Sequence, residues 1–530
     1  MRLTAAVYND NYAAPVFQAA YADLADVGIS WELPGGVRSM TATIKLDRWA
    51  AFGKYREYAL QRLVLQDGYC DKPVATGDIT KLTYGYGKLT IEARGPWWRL
   101  YDGLENTIAT TADTTDDVIK RALTAHAATT VSADQTHIAA TTANCYMTLP
   151  SGNTTATTAG KLVDAGATFI TSGVVVGDIA FDNTGGSFCT IMAIDDENTL
   201  GVTNDIFVNG DAYVIRRPVI SGHTTDTLAN YIVDQEGPFL KAQIAIGTTV
   251  CNLTDTTKTT TAAAAAWRTI QLTDDIFTKD EQYVIVRASP LWVPPYEGIP
   301  VADVVSEMVG YGDGTGAPVY FWLQETAFDV YRRPIPCLPY LELYSATADA
   351  DWQVWRRDLQ RAEIGRDFAN LATSVTALWT AGQQSVAQTN NTSTYWTRQR
   401  VVSGRGAVLS MANEKASVYV NTNSDGILRR AWVITAPRIM DGSGFRWPLW
   451  RVIAHGGGYL RCNDAFPDAG TAGYDREKQG RITTMDYSYR NNQLRVTLDD
   501  DTRADRRFRD LGYDEAINRR LRVMMQPYVY

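Results

Sequence analysis

Residues 204–215 read NDIFVNGDAYVI, and residues 274–285, seventy positions on, read DDIFTKDEQYVI. The agreement extends well beyond these letters. At the same offset Phe169 meets Phe239, Gly177 meets Gly247, Thr184 meets Thr254, Thr190 meets Thr260 and Thr199 meets Thr269. Asp205, Ile206, Phe207, Tyr213 and Ile215 likewise meet Asp275, Ile276, Phe277, Tyr283 and Ile285. An ungapped match over this length reads as a tandem duplication of one small unit, with copies near 167–215 and 237–285. Within each copy apolar residues alternate or run in short β-branched bursts (VVV, TIMAI, AYVIR), broken by Asp, Asn, Gly and Thr, which is the pattern of strands and hairpins. A doubled β-unit is a surface or spacer device, and catalytic centres rarely need one.

The rest of the chain bounds what such a unit can belong to. At 530 residues there is room for three or four domains. Tyr (28), Trp (14) and Phe (14) are frequent, which suits packed sheet faces and large interfaces. Residues 106–289 hold 20 acidic and 10 basic side chains, about −10, against a whole-chain charge of −9, so the flanks together are near neutral. A general basic field for nucleic acid is therefore excluded. Cysteines at 70, 145, 189, 251, 337 and 462 are too scattered for a CxxC zinc site or a dense disulfide framework, and read as buried thiols of a reducing compartment. The opening MRLTAAVYND lacks the apolar core of a signal peptide, and no stretch is apolar for long enough to span a bilayer. The expectation is a soluble protein made in a cytoplasm.

Residues 1–105 read as strands. Trp31–Leu46, WELPGGVRSMTATIKL, turns at Pro-Gly-Gly and then alternates through Met40, Ala42, Ile44 and Leu46. Three or four more strands follow, punctuated by Asp67-Gly68, Lys72-Pro73 and Gly85-Tyr86-Gly87, as in a small antiparallel barrel or sandwich. TTDDVIKRALTAHA predicts a short helix with Thr115 as its N-cap and Asp116 and Asp117 in its first turn. Residues 143–289, rich in Thr, Ala and Gly, read as an insertion carrying the two copies, with a short helix near HTTDTLANYIVD (223–234) between them. IPVADVVSEMVGYGDGTG predicts a helix closed by glycines, PVYFWLQETAFDVYRRPI a hairpin, and DWQVWRRDLQRAEIGRDFANLATSVTALW a strand, polar turns and a strand. TAGQQSVAQTNNTSTYW reads as a polar linker and RGAVLSMANEKASVYVN as a helix; strands return from Ala431. Residues 499–522 mix seven acids with seven bases, as on a solvated helical face.

No catalytic, cofactor-binding or metal-ligating residue is assigned. His455-Gly456-Gly457-Gly458 resembles an esterase oxyanion loop, but no GxSxG elbow accompanies it, so it reads as a glycine turn between strands. The glycines at 310, 312, 314 and 316 follow a helix and precede a strand, the reverse of the order that aims a helix N-terminus at phosphate. Gly160-Lys161 lacks the remainder of a Walker sequence. The histidines at 126, 137, 223 and 455 never fall at metal-ligating spacing. A glycosidase carboxylate pair has no fixed spacing, and 59 acids offer no basis for choosing two.

Three segments, WELPGGVRSMTATIKL, GYCDKPVATGDITKL and GKLTIEARGPWWRLYD, resemble the first barrel domain of phage tail-tip and baseplate hub proteins. The later order is similar too: VADVVSEMVGYG, YFWLQETAFDVYRR, RDFANLATSVTALWTAG, AVLSMANEKASVYV and ITTMDYSYRNNQLRVTLDD. The resemblance covers 1–142 and 290–510 and rests on the order and style of elements. It implies a mainly β fold with minor α, with hub-type β-barrel domains and a tandem β-module insertion: 1–105 a first barrel domain, 106–142 a short helix-strand segment, 143–289 the insert, 290–350 an α+β segment, and 351–530 a second barrel-like region with a charged tail. It further implies a homotrimeric ring in the virion tail tip, assembled in the host cytoplasm. Its partners would be other tail proteins (the distal tail protein, the tape measure protein and the fibres), with genomic DNA passing transiently through a lumen. The insert also resembles β-modules of phage structural proteins. It would project outward and contact fibres, neighbouring tail proteins or the cell surface, or it would simply thicken the tip. The alternative expectation is a tail-associated, glycan-degrading hydrolase with a carboxylate pair.

Overall fold

The computed structural model describes residues 3–499 except 9–14, 20–22, 58–60, 68–72, 103, 106–113, 127–130, 144, 238, 240–243, 245, 257–258, 267, 288–290, 293–298, 325–336, 345–349, 369–370, 380–382, 386, 391, 393–396, 404–408, 425–426 and 464–478. The fold is mainly β with a few helices.

The alternation after the Pro-Gly-Gly turn sets the frame. In the strand Gly35–Lys45, Met40, Ala42 and Ile44 are buried and the residues between them face outward. The turn puts Gly35 and Gly36 at φ 121° and 92°, a region glycine enters without steric cost, and the strand Leu24–Glu32 lies antiparallel alongside. A Cβ on Gly36 would stand 2.6 Å from the Leu323 carbonyl oxygen, so glycine here lets Val319–Gln324 run parallel to this strand.

From Gly35–Lys45 the ladder passes through Lys88–Arg94, Pro73–Gly85, Arg62–Asp67 and Leu3–Tyr8 to Pro15–Ala19. The hairpin 73–94 turns on Tyr86 and Gly87, both at positive φ (40° and 77°), the primed-turn geometry that suits twisted strands. In the other direction Leu24–Glu32 pairs with Gln479–Ser488, then come Gln493–Asp499, Ile427–Ile434 and Leu359–Asp367. Gly28 therefore sits opposite Ser488, and the beginning and the end of the described chain share one sheet. Its core packs Trp31, Trp432, Trp450, Met485 and Val496, all essentially inaccessible.

Val319–Gln324 joins two cores. Tyr320 and Trp322 face the frame. Val319, Phe321 and Leu323 face a second cluster with Trp97, the helix Val301–Val309 and the helix Thr115–His126. An uninterrupted apolar run is what a strand buried on both faces requires. The sheet around Ser374–Trp379 is covered by the helix Leu409–Asn423, through Ala412, Ala416 and Val420 on Ala372, Val375 and Ala377.

The chain enters and leaves the doubled region through two short antiparallel pairs, Leu104–Glu105 with Ile299–Pro300 and Tyr146–Met147 with Leu291–Trp292. Inside, the strands 161–163, 179–182 and 199–202 recur at 231–233, 249–252 and 269–272. The correspondence begins upstream of residue 167. Ser151–Asn153 pairs with 212–214 just as 221–223 pairs with 282–284. The long strand Ala212–His223 thus closes the first copy and, past an irregularity at Pro218, opens the second.

Side chains explain why this region is rich in Asp and Thr. Tyr213 donates to Asp164 Oδ2 (2.8 Å) and Tyr283 to Asp234 Oδ2 (2.6 Å), all four largely buried. Thr184 and Thr254 each accept the backbone N–H of residues 212 and 282 at 2.9 Å. Asp182 and Asn252 each accept two turn N–H groups. Small polar side chains serve as turn fasteners where the backbone has no ladder partner.

Several expectations are corrected. Residues 223–234 form a hairpin, 226–228 with 231–233, and not a helix, because Asn230 adopts φ 61° at the place held by Gly160 (φ 66°) in the first copy. The duplication is not ungapped: Ile179 pairs with Thr190 but Thr249 pairs with Thr261, so Thr190 corresponds to Thr261 and not Thr260. The second copy takes an extra residue in the turn before this strand and drops one after it. Thr114, not Thr115, caps the helix at 115, its backbone N–H and hydroxyl reaching Asp117 Oδ2; Thr115 instead bonds Thr141. The hairpin arm opposite Val319–Gln324 is Leu338–Leu343; the expected arm within 326–335 lies outside the described residues. Residues 352–379 contain three strands, with Leu359–Asp367 as the extra one. Part of the expected polar linker adds short strands at 383–384 and 388–389 to Ser374–Trp379. The charged tail beyond 499 lies outside the described residues.

Candidate functional site

Where the two-faced strand meets the last third of the chain, a cleft of about 830 Å³ opens, within the size range of small-ligand sites. Its walls come from five separate segments: His137, the hairpin 319–343, Asp351 and Trp352, the stretch from Asp441 to Gly458, and Arg481.

Cross-strand pairing builds the first wall. Trp322 lies opposite Tyr340, and their rings stack at 5.1 Å and 13°. His137 stacks on Tyr340 at 4.5 Å. The Arg481 guanidinium lies 4.8 Å from the centre of the Trp322 ring and 5.7 Å from that of Tyr459, a cation–π arrangement favoured by desolvation. Arg481 is buried, and its Nη2 stands 2.9 Å from Glu342 Oε2 at an angle that makes an ion pair without a hydrogen bond, while Nε has no acceptor.

The opposite wall is held by carboxylates. Asp441 accepts the Trp447 indole N–H (2.7 Å) and the backbone N–H groups of Ser443 and Phe445; the indole bond first, with these amides, holds its carboxyl below the usual range. Asp351 Oδ2 accepts the Tyr459 N–H at 2.7 Å. Trp352 donates to the Gly457 carbonyl at 2.6 Å, with His455 edge-on to its ring. Burial pushes Glu342 above its ordinary value, the charge of Arg481 opposes this, and Asp351 reinforces it. Its Oε1 has no hydrogen bond to the described residues.

The His-Gly-Gly-Gly stretch enters this wall as the link between the short helix Trp450–Ala454 and the strand Tyr459–Asn463, not as a turn between two strands. A Cβ on Gly456 would meet Trp322 Nε1 at 2.1 Å, so these glycines let the backbone approach the aromatic wall. The other glycine run is filled from within the chain: Gly314 and Gly316 donate to Glu414 Oε1 at 3.0 and 2.7 Å. Gly160 caps a turn through Asp205. His137 and His455 both line the cleft, while His223 lies in the insert. Among the described residues no group of three or more His, Cys, Asp or Glu could hold a metal, and no described helix is long and apolar enough to cross a membrane. The described cysteines are buried thiols; burial pushes Cys189 and Cys251 up to about 12. Sequence reasoning missed the cleft because its residues converge only through the fold.

No family model matches the chain, and no curated relative does. Among solved structures it is similar to a tail protein from Neisseria meningitidis MC58 (10% identity, 94% of this chain and 96% of that one, TM-score 0.42). It is also similar to the 43 kDa tail protein of prophage MuSo2 from Shewanella oneidensis (8%, 95% and 98%, 0.40). A third is the prophage tail protein gp18 from Listeria monocytogenes EGD-e (7%, 94% and 94%, 0.38).

Proposed function

We propose that this chain is a structural hub of a phage tail tip, three copies closing into a ring that continues the tail tube. The observation that carries the reading is the single ladder that joins strands within 3–94 to strands within 359–499, with the doubled module set into it through two short strand pairs. That arrangement separates a rigid frame from an accessory unit within one polypeptide. The terminal strands of the ladder, Pro15–Ala19 and Leu359–Asp367, each have one partner among the described residues. Open strand edges are places where sister copies continue a sheet. On Leu359–Asp367 the exposed edge carries Gln360, Arg361 and Glu363, which favours a specific contact over indiscriminate pairing.

The near-neutral frame suits a lumen through which DNA passes, because a basic wall would bind phosphates and slow the genome. The acidic insert stands on the outside of the ring. At equivalent turn positions it exposes Val176 and Ile246, a repeated apolar point for fibres, other tail proteins or the cell surface. The hub has no catalytic role. Of the cleft carboxylates, Asp441 and Asp351 fasten backbone and indole groups and Glu342 is paired with Arg481, which disfavours a hydrolase. Light scattering and electron-microscopy class averages of the purified chain test the proposal: a threefold particle with an axial hole is expected, and a poreless monomer both in solution and in the virion overturns it.

A further inference from the structure

We propose that the cleft between the hairpin 319–343 and the segment 441–458 binds a short neutral oligosaccharide. The inference stands on the cleft alone and does not depend on the ring.

The charge accounting selects the ligand class. Asp441 already receives an indole and two backbone donors, and Asp351 receives the Tyr459 amide. Glu342 is balanced by Arg481, and Arg451 reaches Asp67 at 3.5 Å. Three carboxylates against two arginines leave a wall that disfavours a phosphate, while Asp441 and Asp351 already spend lone pairs on indole and backbone donors. What the walls also offer is the rings of His137, Trp447 and His455, the Tyr340 side chain, and the Glu342 Oε1 that no described residue bonds. At the back stands Arg481, only 3% exposed, with its Nε unbonded. Buried polar atoms without partners are uncommon and mark places where a ligand or water completes the set. Sugar rings present apolar faces to aromatic side chains and hydroxyls that both donate and accept. The Glu342 carboxylate accepts from a hydroxyl, and the Tyr340 hydroxyl donates to the neighbouring one.

Three tryptophans that line the cleft, Trp322, Trp352 and Trp447, make binding visible as intrinsic fluorescence. The full-length chain is titrated with maltotriose, cellotriose and chitotriose, each from micromolar to millimolar. A saturable change with at least one of them is expected. It weakens about tenfold in Glu342→Gln, the loss of one charge-assisted bond, and by a similar factor in Tyr340→Leu, with Glu342→Gln still unfolding in a single cooperative thermal transition. No saturable change with any of the three overturns the proposal, and so does a change that survives both substitutions. Saturation by a basic or acidic peptide in place of the sugars likewise overturns it, by showing that the cleft takes a protein segment.

Discussion

The doubled insert and the frame that carries it are both β-sheet, yet they are assembled on opposite plans. Within the insert the described strands from Ser151 to Arg287 pair inside one copy or at the junction to the next. In the frame the decisive pair joins Leu24–Glu32 to Gln479–Ser488 across most of the chain. Local pairing forms early and needs little loop closure, whereas the distant pair must wait for everything between to fold. The insert's strand pairing is thus local, although the core of its first copy runs on into the cluster around Val301–Val309, and the frame is complete only when its last strands arrive.

Four perturbations break or sharpen that contrast. Trp432, fully buried in the frame core that also contains Cys462, should cost about 3–5 kcal/mol when truncated to Ala. Urea titration with mass-spectrometric thiol labelling should then show Cys462 reacting at lower denaturant while Cys251 of the insert stays protected. Simultaneous exposure of both would make the insert and the frame one cooperative unit.

Next in size, Tyr213→Phe and Tyr283→Phe each leave a buried carboxylate oxygen short of its donor, at about 1–3 kcal/mol apiece. Because the two bonds are equivalent, denaturation curves of the two variants should shift alike. A shift in only one would show that the copies are not energetically interchangeable.

At Gly160, which has φ 66°, alanine should cost about 1–2 kcal/mol for the left-handed backbone. Asparagine there should cost less, since Asn230 holds the same conformation in the second copy; equal costs for Ala and Asn in thermal melts would refute the equivalence. The smallest effect belongs to pH. Burial holds the Glu342 carboxyl above its unfolded value, so the folded state binds the proton more tightly. Stability then falls as pH rises from the ordinary carboxylate value to the higher folded one. Glu342→Gln should flatten that slope, and an unchanged slope assigns it to other groups.

The same contrast governs what can be read from the sequence. Period-two alternation in Met40–Ile44 and the turn at Tyr86-Gly87 were legible, because strand faces and primed turns leave local signatures. So was the helix Val301–Val309, by its valine spacing. Residues 223–234 misled, since Leu228, Ala229 and Ile232 mimic a helical face, although the first copy, with Gly160 at the site of Asn230, marks the place as a turn. The shift from Thr260 to Thr261 escaped because threonine occupies both positions, and only strand register separates them. The cleft had no linear signature at all. Trp322, Glu342, Asp351, Asp441 and Arg481 are gathered by long-range pairing, and no spacing rule links them.

The strand Ala212–His223 has a mechanical consequence. Its first half is hydrogen-bonded into one copy and its second half into the next, so a pull on either copy loads the other along a row of backbone bonds in shear. Strands in shear resist force together, whereas a flexible tether would let each bead swing and yield alone. A doubled module built this way meets a load as one stiff bar.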